Sequence, residues 1–306
     1  MNESVRRYRV THSTHYEYSS ESSLCHNQLH LTPRELLNQR VSHCVIEIQP
    51  KPACRFHWQD TFGNHVEFFS IEEIHPNLTV TSRCLVERSE AAIPDRANLR
   101  WSNLLEAIAN SQHPAWISAR EFLYDSRYCH ASHEFAEYAS QVIEGDCDVL
   151  DCLRMLNTKI HHEFLYVPAS TQVTTRPIEV LQRKKGVCQD FAHVFICCMR
   201  SLGVPARYVS GYLLTSPPKG QPRLIGADAS HAWVSVFAGD LGWIDFDPTN
   251  NSIPGLEHIT VAWGRDYSDV TPIQGVFVGG GFTTLHVAVD VTPDDLKMPA
   301  LESPPD

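Results

Sequence analysis

No run of apolar residues in this sequence approaches the length needed to span a membrane. The N-terminal stretch MNESVRRYRVTHSTHYEYSS has no apolar core, so it does not read as a secretory signal. Asn2 follows Met1, where myristoylation would require glycine. The expectation is a cytoplasmic protein with no membrane partner. Positive charge is also scarce: 25 Lys and Arg stand against 36 Asp and Glu, for a net charge of −11. Such a chain has no broad means of neutralising phosphates, which argues against nucleic acid as a partner. No two of the ten cysteines stand at C-x-x-C spacing, so a structural zinc site lacks its usual signature. Most of these cysteines are expected to be reduced, buried, small hydrophobes.

What is present suits a globular protein. The 306 residues are 42% hydrophobic and 20% charged, enough for a sizeable core and for two domains. Residues 1–92 read as a β domain. In YRVTHSTHYEY, Tyr8, Val10, His12, Thr14, Tyr16 and Tyr18 share one face, the alternation of a half-exposed strand. HCVIEI and LTVTSRCLVE are further strands, and DTFGNHVEFFSI reads as strand, Gly-Asn turn, strand. Residues 93–155 change to helical spacing, as in SNLLEAIANS, AWISAREFLY and HEFAEYASQVI; DVLDCLRMLNTKIHHEF carries that spacing into the next segment. Residues 156–291 are expected to form the core that carries the chemistry. Residues 292–306, Pro-rich and acidic, are expected to form a loose tail.

One cysteine stands apart from the other nine. In GVCQDFAHVFICCMRSL, Phe191, Val194, Phe195, Cys198 and Leu202 fall on one helical face, and Gly203 and Pro205 stop the helix. The helix therefore begins near Cys188. A thiol at that point meets free backbone N–H groups and the positive end of the helix dipole, which favour the nucleophilic thiolate. The same N–H groups can hold an oxyanion. Asp190 in the first turn suits the dipole, although its charge opposes a thiolate. Cys198 lies on the apolar face and reads as packing.

A base and its orienting group follow downstream. HAWVSVF and GWIDFD form an antiparallel hairpin, with His231 and Trp233 on one face and Trp243, Asp245 and Asp247 sharing a face of the return strand. With the turn centred between Gly239 and Leu241, His231 faces residues from about Asp247 to Asn251. Asp245 is one side-chain repeat farther away, so Asp247 is the better carboxylate to orient His231. Cysteine at a helix start, with histidine and aspartate on adjacent strands, has the parts of a nucleophilic triad.

These segments resemble the bacterial transglutaminase-like superfamily, a branch of the papain-like cysteine enzymes. GVCQDFAH and FDPTN are the most specific elements. HAWV, HSTHYEYSS, NQLHLTPR and DTFGNHVEFF add to the likeness, which covers most of the chain. The resemblance implies an α+β fold, with an N-terminal β-rich, sandwich-like domain and then a papain-like core whose cysteine helix packs on an antiparallel sheet. It also implies catalytic roles: Cys188 as nucleophile, His231 as base and Asp247 as orienting acid. The implied reaction is acyl transfer or hydrolysis on protein or peptide amides through a thioester, with an amine or water as acceptor. No metal and no organic cofactor is called for, and no acidic loop resembles a calcium site. Rival readings are a cysteine protease or amidase on the same triad, and a non-catalytic binding module with an inert core. An arylamine acetyltransferase shares the Cys-His-Asp order, but the flanking motifs do not resemble one. Gln182 stands where papain-like proteases carry an oxyanion-hole glutamine, but the intervening Arg-Lys-Lys does not match, so it reads as the end of the preceding helix. Arg207 has no assigned role.

Overall fold

The alternation in YRVTHSTHYEY becomes the first half of one long strand, β1 (Val5–Leu29). The computed structural model describes residues 5–143, 145–215 and 230–294. Along β1, Tyr8, Val10, His12 and Thr14 are buried, while Arg7 and Arg9 are exposed. Four strands follow: β2 (Gln39–Gln49), β3 (Cys54–Gln59), β4 (His65–Ile71) and β5 (His75–Ser89). The helical stretch contains α1 (Trp101–Asn110), α2 (Pro114–Ala119), α3 (His133–Ser140) and α4 (Val149–Glu163). Then come β6 (Leu165–Tyr166), α5 (Pro177–Arg183), β7 (Lys185–Gly186), α6 (Cys188–Ser201) and β8 (Ala206–Leu213). The last described strands are β9 (Ser230–Phe237), β10 (Trp243–Phe246), β11 (His258–Gly264), β12 (Ile273–Gly279) and β13 (Thr283–Pro293). No helix among the described residues is long and apolar enough to cross a membrane.

The fold is mixed α and β, with a β-rich N-terminal region. Its sheet has seven strands in the order β2-β5-β1-β4-β3, with β12 and β13 also paired to β1. β1 pairs with β5 and β13 over its first part, and with β4 and β12 over its second. Ile46 and Ile48 of β2 and Leu78 and Val80 of β5 pack against Leu29, Phe69 and Ile71 from the other half. The sheet thus closes on itself like a sandwich, burying one face of each half. The strand before the Gly-Asn turn lies earlier than DTF, at Cys54–Gln59. Asp60 instead holds the turn, its Oδ1 accepting from Phe62 N at 2.9 Å and Asn64 N at 2.8 Å.

One expectation needs correction. Residues 273–291 do not complete the core sheet; they form β12 and β13, which add to β1 of the N-terminal sheet. β1 offers two open edges, and Val289 and Val291 alternate into the core, so pairing there buries apolar surface. Pairing also reaches Thr292 and Pro293, beyond the expected start of the tail, while residues 295–306 lie outside the described residues. Six of the ten cysteines are free, in keeping with the expectation that most are reduced, while Cys44 pairs with Cys84 and Cys147 with Cys152.

The core sheet is β10-β9-β8-β11. Helix α6 lies against β9 and β8, with α3, α4 and α5 around its other sides. This explains why α6 is buried from Asp190 to Arg200 rather than along one face. Its buried Arg200 is hydrogen-bonded locally. Arg200 donates to the carbonyls of Phe122 and Ala206, at 2.9 and 3.0 Å, and to that of Arg265.

Side chains from the N-terminal sheet finish the edge of β11. Gln39 Nε2 donates to Thr260 O at 2.7 Å, and its Oε1 accepts from Thr260 N at 2.9 Å. Asn64 does the same with Trp263, at 2.8 and 2.9 Å. Each amide imitates a strand residue and satisfies backbone groups that the edge would leave open.

Candidate active site

Cys188 is the first residue of α6, as its sequence position predicts. The turn before it is held from several sides. Gly186 pairs with Tyr166 in a short parallel bridge between β7 and β6, and Val167 N donates to Gly186 O at 2.9 Å. Asp190 folds back from the helix, its Oδ2 accepting from Val187 N at 2.8 Å and from Thr171 Oγ1 at 2.6 Å. Burial pushes the Asp190 carboxyl above its ordinary value, against the pull of these bonds. A Cβ on Gly186 would lie 2.6 Å from Asp190 Oδ2, so only glycine fits the turn as built. Cys188 is partly exposed, whereas Cys197 and Cys198 are buried, and burial pushes the Cys198 thiol well above its ordinary value.

The hairpin register brings in the other two residues. Trp243 pairs with Phe237, Asp245 with Ser235, and Phe246 with Val234. Continuing this register sets Asp247 opposite Trp233, so Asp247 reaches His231 on the diagonal. His231 Nε2 lies 2.8 Å from Asp247 Oδ2, and the Cys188 thiol is near enough to help raise the His231 pKa. Cys188, His231 and Asp247 are therefore neighbours. Asp245 goes elsewhere, its Oδ2 accepting from Trp233 Nε1 at 2.9 Å. Gln182 is exposed on α5.

Asp247 is fully buried, and its oxygens are saturated with donors. Oδ1 accepts from Thr249 N at 2.9 Å and Asn250 N at 3.2 Å. Oδ2 accepts from His231, from Asn250 Nδ2 at 2.7 Å and from His258 Nε2 at 3.1 Å. Burial opposes the charge, but the bonds from His231 and His258 outweigh it and hold the carboxyl well below its usual range. His231 responds in the opposite sense. Burial disfavours its cation, yet Asp247 and Cys188 together raise it to about 10.

Two of these partners, Asn250 and His258, are absent from the sequence reading. Asn250 had a local signal, standing just after Asp-Pro-Thr where an Asp-turn draws in nearby donors. His258 had none, because it sits at the head of β11, on the opposite edge of the sheet from β10. It reaches Asp247 beside Trp233, whose ring centroid is 5.3 Å away. Gly211 on β8 makes this possible: a Cβ there would lie 2.4 Å from the Trp233 ring and 2.2 Å from Ile259 O. Although no metal was expected, ligand-type atoms of His231, Asp247 and His258 all lie within 4.8 Å of one another. Those groups already hydrogen-bond to one another.

Comparisons with known proteins add the family. Residues 8–87 match the bacterial transglutaminase-like N-terminal region, and residues 136–248 match the transglutaminase-like superfamily. An uncharacterized protein of Mycobacterium tuberculosis is 38% identical over 297 residues, covering 94% of this chain and 93% of that one. The chain belongs to the transglutaminase-like superfamily. Another full-length relative of this transglutaminase-like protein comes from Mycobacterium leprae, 33% identical over 94% of this chain and 98% of its own. A protein-glutamine gamma-glutamyltransferase of Pseudomonas aeruginosa is 30% identical over 37% of this chain and 18% of that one. A crystal structure from Cytophaga hutchinsonii, provisionally described as a cysteine protease, has the same fold. Its TM-score is 0.78 at 19% identity, covering 97% of this chain and 93% of that one.

Proposed function

We propose that this transglutaminase-like protein is a cysteine enzyme that transfers acyl groups from protein or peptide amides through a thioester on Cys188. The observation that carries the reading is the 2.8 Å contact between His231 Nε2 and Asp247 Oδ2. It leaves Nδ1 of His231 as the nitrogen for the Cys188 thiol, with the ring held in one orientation.

In the first step, His231 already holds the thiol proton as an ion pair, and the Cys188 thiolate attacks the amide carbonyl carbon through Sγ. Backbone N–H groups at the start of α6 hold the oxyanion. The C–N bond breaks, His231 gives its proton to the leaving amine or ammonia, and the acyl group stays on sulfur. In the second step, an amine or water attacks the thioester while His231 takes its proton. The C–S bond breaks, and the thiolate is restored. An amine acceptor gives transglutamination; water gives amidase or protease activity on the same residues. The matched gamma-glutamyltransferase favours a glutamine carboxamide as the first donor to try.

The test is to incubate the protein with glutamine-containing peptides and a labelled primary amine, following both amine incorporation and ammonia release. The acyl-enzyme is looked for by mass spectrometry. Cys188→Ser should abolish the acyl-enzyme, and Cys198→Ser should leave it intact. Full activity in Cys188→Ser would overturn the assignment. Ammonia release without amine incorporation would favour the hydrolase reading.

A further inference from the structure

A cavity of about 590 Å³ lies between the N-terminal sheet and the core sheet, away from Cys188. Its volume is within the range that holds a small molecule. Two arginines line it, Arg88 and Arg207, only 3% and 8% exposed. Arg207 is stacked between two indoles, with its guanidinium carbon 4.2 Å from the Trp243 ring centroid and 3.7 Å from that of Trp263. With both faces covered, only the in-plane N–H groups can meet a ligand. Its Nε is buried without a partner, and no carboxylate forms a direct ion pair with Arg207 among the described residues. Arg88 spends its two terminal nitrogens on Asn38 O and Gly255 O, at 3.3 and 3.0 Å, and its Nε is likewise buried and unpartnered.

Arg207 is buried with no direct ion pair among the described residues, the nearby Asp245 charge offsets only part of the cost of its burial, and an anion entering in its plane lowers that cost further. The in-plane fork matches the two oxygens of a carboxylate. The other charges limit what can enter. Asp245 and Glu90 also line the cavity and repel a doubly charged anion about twice as strongly as a single carboxylate. The remaining wall includes Leu36, Leu37, Ile93 and Leu241, which suits an apolar body.

We propose that this cavity binds a small organic monocarboxylate with an apolar chain or ring, its carboxylate held in the plane of Arg207 and its apolar body against Leu36, Leu37 and Ile93. The site stands apart from the proposed reaction, and its failure would leave that reaction untouched.

Titration calorimetry on the full chain tests it with octanoate and 4-phenylbutyrate, the corresponding neutral amides, and inorganic phosphate. The carboxylates should bind at one site, with the amides weaker by about tenfold or more, as expected when a charge-assisted pair is lost. Arg207→Gln should weaken carboxylate binding similarly. Leu37 is fully exposed at the rim, so Leu37→Glu should preserve folding, checked by circular dichroism, and repel the carboxylate. If Arg207→Gln does not fold, Leu37→Glu decides alone. Cys188→Ser should bind as the wild type does. Absence of saturable carboxylate binding, equal binding of the amides, tighter binding of phosphate, or unchanged binding in Leu37→Glu would each overturn the proposal.

Discussion

His258 Nε2 lies 3.1 Å from Asp247 Oδ2, the same oxygen that accepts from His231. The two histidines belong to different strands, β11 and β9, so the carboxylate is gripped by more than the hairpin that supplies it. His258 is thereby a positioning residue for the proposed triad. Its removal leaves Asp247 held by Thr249 and Asn250 but takes away one of the bonds that fix Oδ2 toward His231.

His258→Phe should lower turnover by about tenfold with a folded protein, the scale of one lost hydrogen bond to a charged group, about 1.5–3 kcal/mol. His258→Asn, which keeps a donor, should recover part of the loss. Steady-state kinetics should assign the effect to kcat rather than KM. An unchanged kcat in His258→Phe would mean that His258 serves packing alone.

The His231–Asp247 pair sets a pH window for stability. His231 is raised to about 10 in the folded protein. Its contribution is full below the unfolded value near 6.5 and is lost as pH rises through about 10. Asp247 is depressed, so its contribution is full above the unfolded value of about 4 and is lost as pH falls through the lower folded value. The joint contribution is therefore greatest between about pH 4 and 6.5. Urea unfolding of the wild type and Asp247→Asn should differ most in that window, with the gap narrowing on both sides. A gap that widened toward pH 10 would contradict the raised His231.

Asp245 and Asp247 provide an internal control, two residues apart on one face. Asp247→Ala should reduce turnover far more than Asp245→Ala, because Asp245 bonds to Trp233 rather than to His231. Kinetics of the two variants at equal fold content would decide it. The reverse order would mean that Asp245 is the working carboxylate.

Gly186→Ala should destabilise the protein by about 1–3 kcal/mol, the usual scale of overpacking a tight site. The added Cβ meets Asp190 within 2.8 Å at both its Oδ2 and its Cβ. Denaturant titration gives the stability. Alkylation of Cys188 by iodoacetamide should also slow, because the turn that presents the thiol must shift. Wild-type behaviour in both measurements would show that the turn can absorb the methyl group.

Much of the proposed site can be found in the chain order. Periodicity locates the start of α6 at Cys188, and turn geometry locates the His231–Asp247 diagonal, because both depend on residues near one another in sequence. The sandwich-like closure of the N-terminal sheet was also expected. The destination of β12 and β13 was not, since an alternating strand specifies its buried face but not which open edge receives it. The burial of α6 on all sides was missed for a related reason. Its apolar stripe accounts for the sheet, while the helices around it become neighbours only after folding.

The sequence by itself determined the local geometry: a thiol at a helix start, a histidine on one strand of a hairpin with an aspartate just past the other, and a β-rich region ahead of them. These follow from backbone periodicity and short-range register. Only the tertiary structure decided that His258 would share the oxygen of Asp247, that Gln39 and Asn64 would finish the edge of β11, and that Arg207 would lie between Trp243 and Trp263. Each joins residues far apart in the chain, and burial is what makes their polar groups seek one another. In water His258, Gln39 and Asn64 would find partners anywhere; in the packed interior each bonds to the group that folding sets beside it.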